Sequence, residues 1–208
     1  MSNTSGDKVI PSRCAWAQSC PDLWGYHDNE WGFPVNDDRI LFEKISLEIF
    51  QSGLSWRTIF MKRENFRKAF KNFEIVHVSS YTKSDIEKLL FNKGIVRHRG
   101  KIESIVNNAR EAKLIIEEFG SLARFFWMYE PDPKELPMPS SLSQSELSKT
   151  ISKELKKRGW KYIGPTTVYS FMQAIGLVND HAEGCFVRSH VQEARKKFSF
   201  SKSYKTIQ

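Results

Sequence analysis

Apolar residues along this chain recur with the 3.6-residue period of helices almost from end to end. Residues 38–52 place Leu41, Phe42, Ile45 and Ile49 on one face, with Asp37 or Asp38 as the cap. Phe66, Phe70 and Phe73 form the next stripe. Ser84 and Glu87 have the spacing of a capping box, which predicts a helix ended by Gly94. Ile102, Ile105, Val106 and Ala109 mark a longer helix stopping near Gly120, followed by a short aromatic helix over 121–129. Four prolines between 131 and 139 make that stretch a connection. Leu147, Ile151 and Leu155 resume the period up to Gly159, and Pro165 suits the first turn of a helix carrying Val168, Met172 and Ile175. No run alternates as a strand would, and no segment repeats. The expected fold is all-α: an N-terminal extension over 1–12, one globule of two helical lobes over 13–186, and a polar tail over 187–208, poorly ordered.

Composition narrows the class. Hydrophobic residues at 40% and aromatics at 13% supply a core and exclude disorder. No apolar run spans a bilayer, and the opening residues lack a signal-peptide core. A soluble, cytoplasmic monomer without membrane contact is the expectation. The net charge is +8, but residues 186–208 hold six basic side chains against Glu193 alone, so the rest of the chain carries only +3. That balance is compatible with nucleic acid without demanding it.

Three cysteines are too few, and odd in number, for a disulfide framework. His181 and Cys185 stand four apart, so a helix or tight turn can aim both at one ion; a buried thiol beside a surface histidine fits the spacing equally well. Cys14 and His27 supply a second pair near the other end of the chain. Together they would make a closed Cys2His2 set, the preference of zinc, with no position left for a reactive water. His77, His98 and His190 are expected on the surface.

Residues 155–176 end one helix at Gly159, turn through Gly164 and open another at Pro165. The bare N–H groups at such a start favour an anion such as a DNA phosphate, with Lys161 and the 156–158 cluster adding charge. A plain helical corner has the same composition. On helix 38–52, Glu43 projects away from the apolar face and is expected to be solvated. Glu48 sits on the edge of that face, so it either pairs with a basic side chain or lines a pocket. Tyr26, Trp31 and Trp56 lie near it in sequence, with Trp16 further off; such rings are core, or they enclose a flat cationic base beside the acid.

The chain resembles the DNA-3-methyladenine glycosylase I family over roughly residues 12–186. The motifs are Arg13-Cys14-x-Trp16, Tyr26-His27-Asp28-Asn29-Glu30-Trp31-Gly32, Leu47-Glu48, Gly53-Leu54-Ser55-Trp56, Lys62-Arg63-Glu64-Asn65, Arg97-His98-Arg99-Gly100-Lys101-Ile102, Tyr169-Ser170-Phe171-Met172-Gln173-Ala174 and Gly176-Leu177-Val178-Asn179-Asp180-His181. The resemblance implies a helix–hairpin–helix glycosylase that excises 3-methyladenine from double-stranded DNA and releases the free base. It implies a structural zinc on Cys14, His27, His181 and Cys185. It implies a base pocket lined by Glu48, Tyr26 and Trp56, formed with Trp16 and Trp31, and Glu48 as the residue that carries excision. It implies that the 159–167 hairpin (Gly159, Lys161, Gly164, Thr166, Thr167) grips DNA, and that Gly53-Leu54 fills the gap left by the flipped nucleotide. Thr166 stands where lyase-type relatives carry a Lys, which implies a monofunctional enzyme. Asp180 is given no catalytic part. Two features depart from the pattern: Cys20 has no role, and Pro165 removes one N–H expected at a phosphate. A zinc-bound DNA-binding module without chemistry, or a glycosylase for another lesion, are the competing readings.

Overall fold

The computed structural model describes residues 12–132 and 142–198, which form twelve α-helices and no strand. They are α1 (Ala15–Gln18), α2 (Trp24–Asn29), α3 (Asp38–Gln51), α4 (Trp56–Phe60), α5 (Arg63–Ala69), α6 (Ile75–Ser79), α7 (Lys83–Phe91), α8 (Arg99–Phe119), α9 (Leu122–Trp127), α10 (Glu146–Lys157), α11 (Pro165–Ala174) and α12 (Val187–Lys197). None of these helices is long and apolar enough to cross a membrane. The expected all-α architecture is borne out, and most of the proline-rich connection lies outside the described residues.

Helix ends follow local chemistry. Asp37 caps α3 by accepting from the Ile40 N–H at 2.8 Å. Gly120, at φ 84°, ends α8, and Pro165 takes the first position of α11. The capping box of α7 is Thr82 with Asp85, not Ser84 with Glu87. The helix starts one residue before Ser84, so Ser84 already lies inside it, and Glu87 faces Arg99 at 2.7 Å instead. The helix also ends at Phe91, short of Gly94.

Helix α3 runs through the middle of the body. It packs on α4, α8, α9 and α11, and nine of its residues are buried. This placement overturns the expectation for Glu43. The side chain is 3% exposed because α5 covers the face it projects from, and its carboxylate takes a bidentate bond from Arg67 at 2.6–3.0 Å. Phe42, Phe50, Phe66, Phe70 and Phe73 are fully buried around α3, each worth about 2–3 kcal/mol in removed apolar surface. The expected polar tail also differs from its description. Residues 187–197 form α12, which buries Val187 and Val191 against Cys14, Tyr26, Trp31 and Cys185.

The two ends of the described chain meet where Gly176 lets backbone approach backbone and Gly32 leaves room for the His181 ring. Gly176 follows α11 at φ 76°, and a Cβ there would stand 2.4 Å from the Gly32 carbonyl oxygen. Arg195 of α12 donates to the Gly176 carbonyl and fixes the last helix over this crossing. Gly176→Ala combines left-handed strain with a backbone clash and is expected to cost about 3 kcal/mol, read as a lowered urea midpoint. An unchanged midpoint would show that the crossing relaxes freely.

Candidate functional site

The crossing brings four buried donors together. The ligand atoms of Cys14, His27, His181 and Cys185 all lie within 4.8 Å of one another. Cys14 Sγ is 3.6 Å from His181 Nδ1; Cys185 Sγ is 3.6 Å from His27 Nε2 and 3.5 Å from His181 Nδ1. Each imidazole is oriented through its other nitrogen. His27 Nδ1 is 2.8 Å from Asp28, whose carboxylate receives a bidentate bond from Arg13, and His181 Nε2 is 3.1 Å from the Trp31 carbonyl. The inner nitrogens are thus acceptors turned to the cluster, and that of His27 also receives the Cys14 N–H at 3.3 Å. The Ala182 N–H donates to Cys14 Sγ at 3.3 Å. Burial pushes the Cys14 thiol up to about 12 and His181 down to about 4, so without a cation nearby these two side chains stay uncharged. The four residues could hold a metal ion. Cys20 stands apart, partly buried and outside the cluster.

A second site adjoins the first through a wall of rings. Trp31 meets His181 edge-on at 4.6 Å and Trp16 at 5.1 Å; Trp16 in turn lies 6.4 Å from Tyr26. Tyr26, from α2, packs on Trp56 at 5.2 Å and Phe60 at 5.3 Å, both from α4. Glu48 projects from the last half of α3 into these surroundings and is 6% exposed. Its carboxylate has no hydrogen bond or ion pair among the described residues, and its charge is felt by Tyr26. Burial pushes it up to about 8, opposed by Lys44. The indole N–H of Trp56 is likewise buried without an acceptor. Two unmet hydrogen-bonding groups between aromatic rings are costly unless a ligand uses them.

Sequence reasoning placed Glu48 on the edge of the stripe but missed Lys44, one turn earlier, whose ammonium lies 5.3 Å from the Tyr26 ring centroid. Its i, i+4 spacing from Glu48 was the available signal. Lys101 was also missed as a support. Its ammonium donates to the Phe50 and Ser52 carbonyls at 2.8 and 2.5 Å, closing the end of α3 where the chain turns through Gly53 at φ 81°. Leu54 stands beyond that turn, 42% exposed.

The hairpin between α10 and α11 is held from inside. Asn108 receives the Lys161 N–H at 2.8 Å and donates to the Lys161 carbonyl at 3.0 Å; Asn107 donates to the Gly159 carbonyl at 2.9 Å. Gly159 takes φ 87°, and Lys161 and Thr166 are exposed. No side chain caps α11; Gly164 is its N-cap and Pro165 supplies no N–H, so the N–H groups of Gly164, Thr166 and Thr167 are left without a partner among the described residues. Asp180 is committed elsewhere, accepting from Tyr169 Oη at 2.6 Å and Gln173 Nε2 at 2.8 Å. His77, His98 and His190 are exposed as expected, although His98 also caps α8.

This arrangement suits an all-helical protein that lodges a flat, hydrogen-bond-donating ring beside a buried acid. The chain belongs to the methyladenine glycosylase family, whose pattern matches residues 16–189. It is 46% identical over 178 residues to DNA-3-methyladenine glycosylase 1 of Escherichia coli K12, covering 83% of this chain and 95% of that one. It is 44% identical over 181 residues to the DNA-3-methyladenine glycosylase of Haemophilus influenzae, covering 85% and 97%. Its fold superposes on 3-methyladenine DNA glycosylase I from Staphylococcus aureus, solved for the structural basis of 3-methyladenine recognition, with a TM-score of 0.79 at 37% identity, covering 85% and 96%. The resemblance carried by the sequence motifs is borne out.

Proposed function

We propose that the pocket around Glu48 is where this 3-methyladenine DNA glycosylase holds the base it removes. The observation that carries the reading is a buried carboxylate without a partner, close enough to Tyr26 for its charge to act there, while Trp56, packed on the same Tyr26, has a buried N–H also without an acceptor. The adenine edge offers an amino group to such an acceptor, while Tyr26 and Trp56 enclose the ring and Trp16 and Trp31 complete the wall. The methylated nucleobase is cationic, so breaking its glycosidic bond returns the electron pair to the ring and neutralises it. Water adds to the sugar carbon and releases a proton. The leaving base needs no acid; Glu48 carries excision by favouring the extruded lesion over neutral adenine.

Duplex DNA fits the hairpin side. The unpartnered N–H groups of Gly164, Thr166 and Thr167, with Lys161 and the turn at Gly159, supply a phosphate site of helix–hairpin–helix type. Gly53 and the exposed Leu54 would occupy the space the nucleotide vacates. Thr166, an alcohol where lyase-type relatives carry an amine, makes the enzyme monofunctional.

The metal reading is structural zinc. Zn–S of about 2.3 Å and Zn–N of about 2.0–2.1 Å in a tetrahedron imply S···N separations of about 3.6 Å. Cys14, His27, His181 and Cys185 lie at 3.5–3.6 Å across such pairs. All four positions are then filled, so the ion ties segments together and supplies no water.

The test is release of free base from methylated duplex DNA, resolved by chromatography. Release of 3-methyladenine with little 7-methylguanine is expected. DNA binding without release of either base would leave a binding module and end the reading.

A further inference from the structure

The pocket holds one more ionisable side chain than base recognition by Glu48 requires. Lys44 and Glu48 lie four residues apart on α3, so both project from the same face, toward Tyr26 of α2 and the uncharged rings Trp56 and Phe60 of α4. The other charged groups near Lys44 are Glu30, Glu43 and Arg63. Each already has a partner. Arg63, from α5, grips Glu30 with bonds of 2.6 and 3.1 Å. Glu43 is held by Arg67, also from α5, with Arg39 3.5 Å away on its own helix. What remains is one ammonium and one carboxylate, Lys44 and Glu48, neither with a hydrogen bond or ion pair among the described residues.

We propose that Lys44 is a positioning residue of the base pocket: its ammonium, held over the Tyr26 ring one helical turn before Glu48, favours the charged form of the Glu48 carboxyl, the form able to accept from the base. This rests on the pocket reading above. A lone carboxylate among aromatic rings takes up a proton rather than bear the loss of solvation. A protonated acid presents a donor on one oxygen, where the amino edge of adenine needs acceptors. Lys44 supplies the compensating charge without touching the oxygens, so both stay free for the ligand. The Tyr26 ring face fixes the ammonium where a flexible side chain would otherwise reach for solvent. The electrostatics agree: burial drives Lys44 down to about 8, opposed by Glu30 and then Glu48, and Lys44 is the charge that opposes the upward push on Glu48.

The test compares excision of 3-methyladenine by the full chain and by Lys44→Met, Lys44→Arg, Glu48→Gln and the Lys44→Met/Glu48→Gln double variant. Single-turnover kcat/KM is measured from about pH 6 to about pH 9. Lys44→Met is expected to lose about tenfold near neutral pH and recover as the medium becomes alkaline, its acid limb shifted up by about one unit. Lys44→Arg restores the native profile. In the Glu48→Gln background the Lys44 change adds no further loss, since no charge is left to hold. A Lys44→Met profile superimposable on the native one overturns the proposal. So does a loss that is the same at every pH, or one that persists undiminished without the Glu48 carboxylate. Full activity of Glu48→Gln by itself would instead remove the pocket reading on which the proposal stands.

Discussion

Glu48→Gln is expected to lower excision of 3-methyladenine by about a hundredfold, the equivalent of roughly 3 kcal/mol for a charge-assisted hydrogen bond lost from a buried site. The amide keeps the shape of the acid but offers one acceptor oxygen and no charge. The same substitution is expected to stabilise the fold at neutral pH. Burial raises the Glu48 carboxyl from 4.5 to about 8 in the folded protein, so the folded state binds a proton more tightly than the unfolded chain. A raised acid contributes its full stability below the unfolded value and loses it as pH climbs through that window. Glutamine has nothing to titrate there. Thermal unfolding at pH 5 and pH 8 tests the sign, with the native chain losing more than Glu48→Gln between the two. Native excision rates in the variant would remove Glu48 from base recognition, and equal pH dependence would show that its carboxyl is solvated.

Cys185→Ser is expected to give the largest loss of stability. Cys185 Sγ faces both His27 and His181, so its loss opens the cluster on two sides. With an ion bound, the four donors cross-link Cys14 to His181 over 167 residues of chain. Closing a loop of that length costs the unfolded ensemble about 4–5 kcal/mol, and the clip recovers much of it. The variant should purify with substoichiometric zinc by elemental analysis and unfold well below the native chain. Chelation of the native protein should bring the two together. A stable variant with a full complement of zinc would take Cys185 out of the ligand set.

The elements and the site were legible in the sequence to different degrees, for local reasons. Asp37, Gly120 and Pro165 mark helix ends because capping is decided within a few residues. The four donors were visible as two candidate pairs, but the spacing of His181 and Cys185 suits a buried thiol beside a surface histidine equally well, and only the crossing that brings Cys14 and His27 to them decides between the two. Glu43 was misread because its solvation depends on α5, and no feature of residues 38–52 says that Arg67 will lie over it. The start of α7 was misread because two overlapping residue sets, 82/85 and 84/87, both satisfy the capping pattern, and tertiary contact of Glu87 with Arg99 favours the first. Helix α12 was missed because only Val187, Val191 and the stem of Arg195 mark its buried stripe. Lys44 shows the same boundary from the other side: its spacing was visible, but its role depends on which acids other helices had already claimed.

The meeting of Cys14 and His27 with His181 and Cys185 also has a consequence in time. The pocket rings stand against Trp31, and Trp31 stands against His181, which lies near the end of the family match. A chain emerging from the ribosome therefore carries Tyr26, Glu48 and Trp56 long before it carries the residue that braces them. Until synthesis passes Cys185, a metal ion would find only one of the two pairs of donors, and the aromatic wall lacks its backing. Ribosome-bound fragments ending before residue 181 are thus nascent chains without a finished pocket, and the activity arrives late, with the last part of the fold.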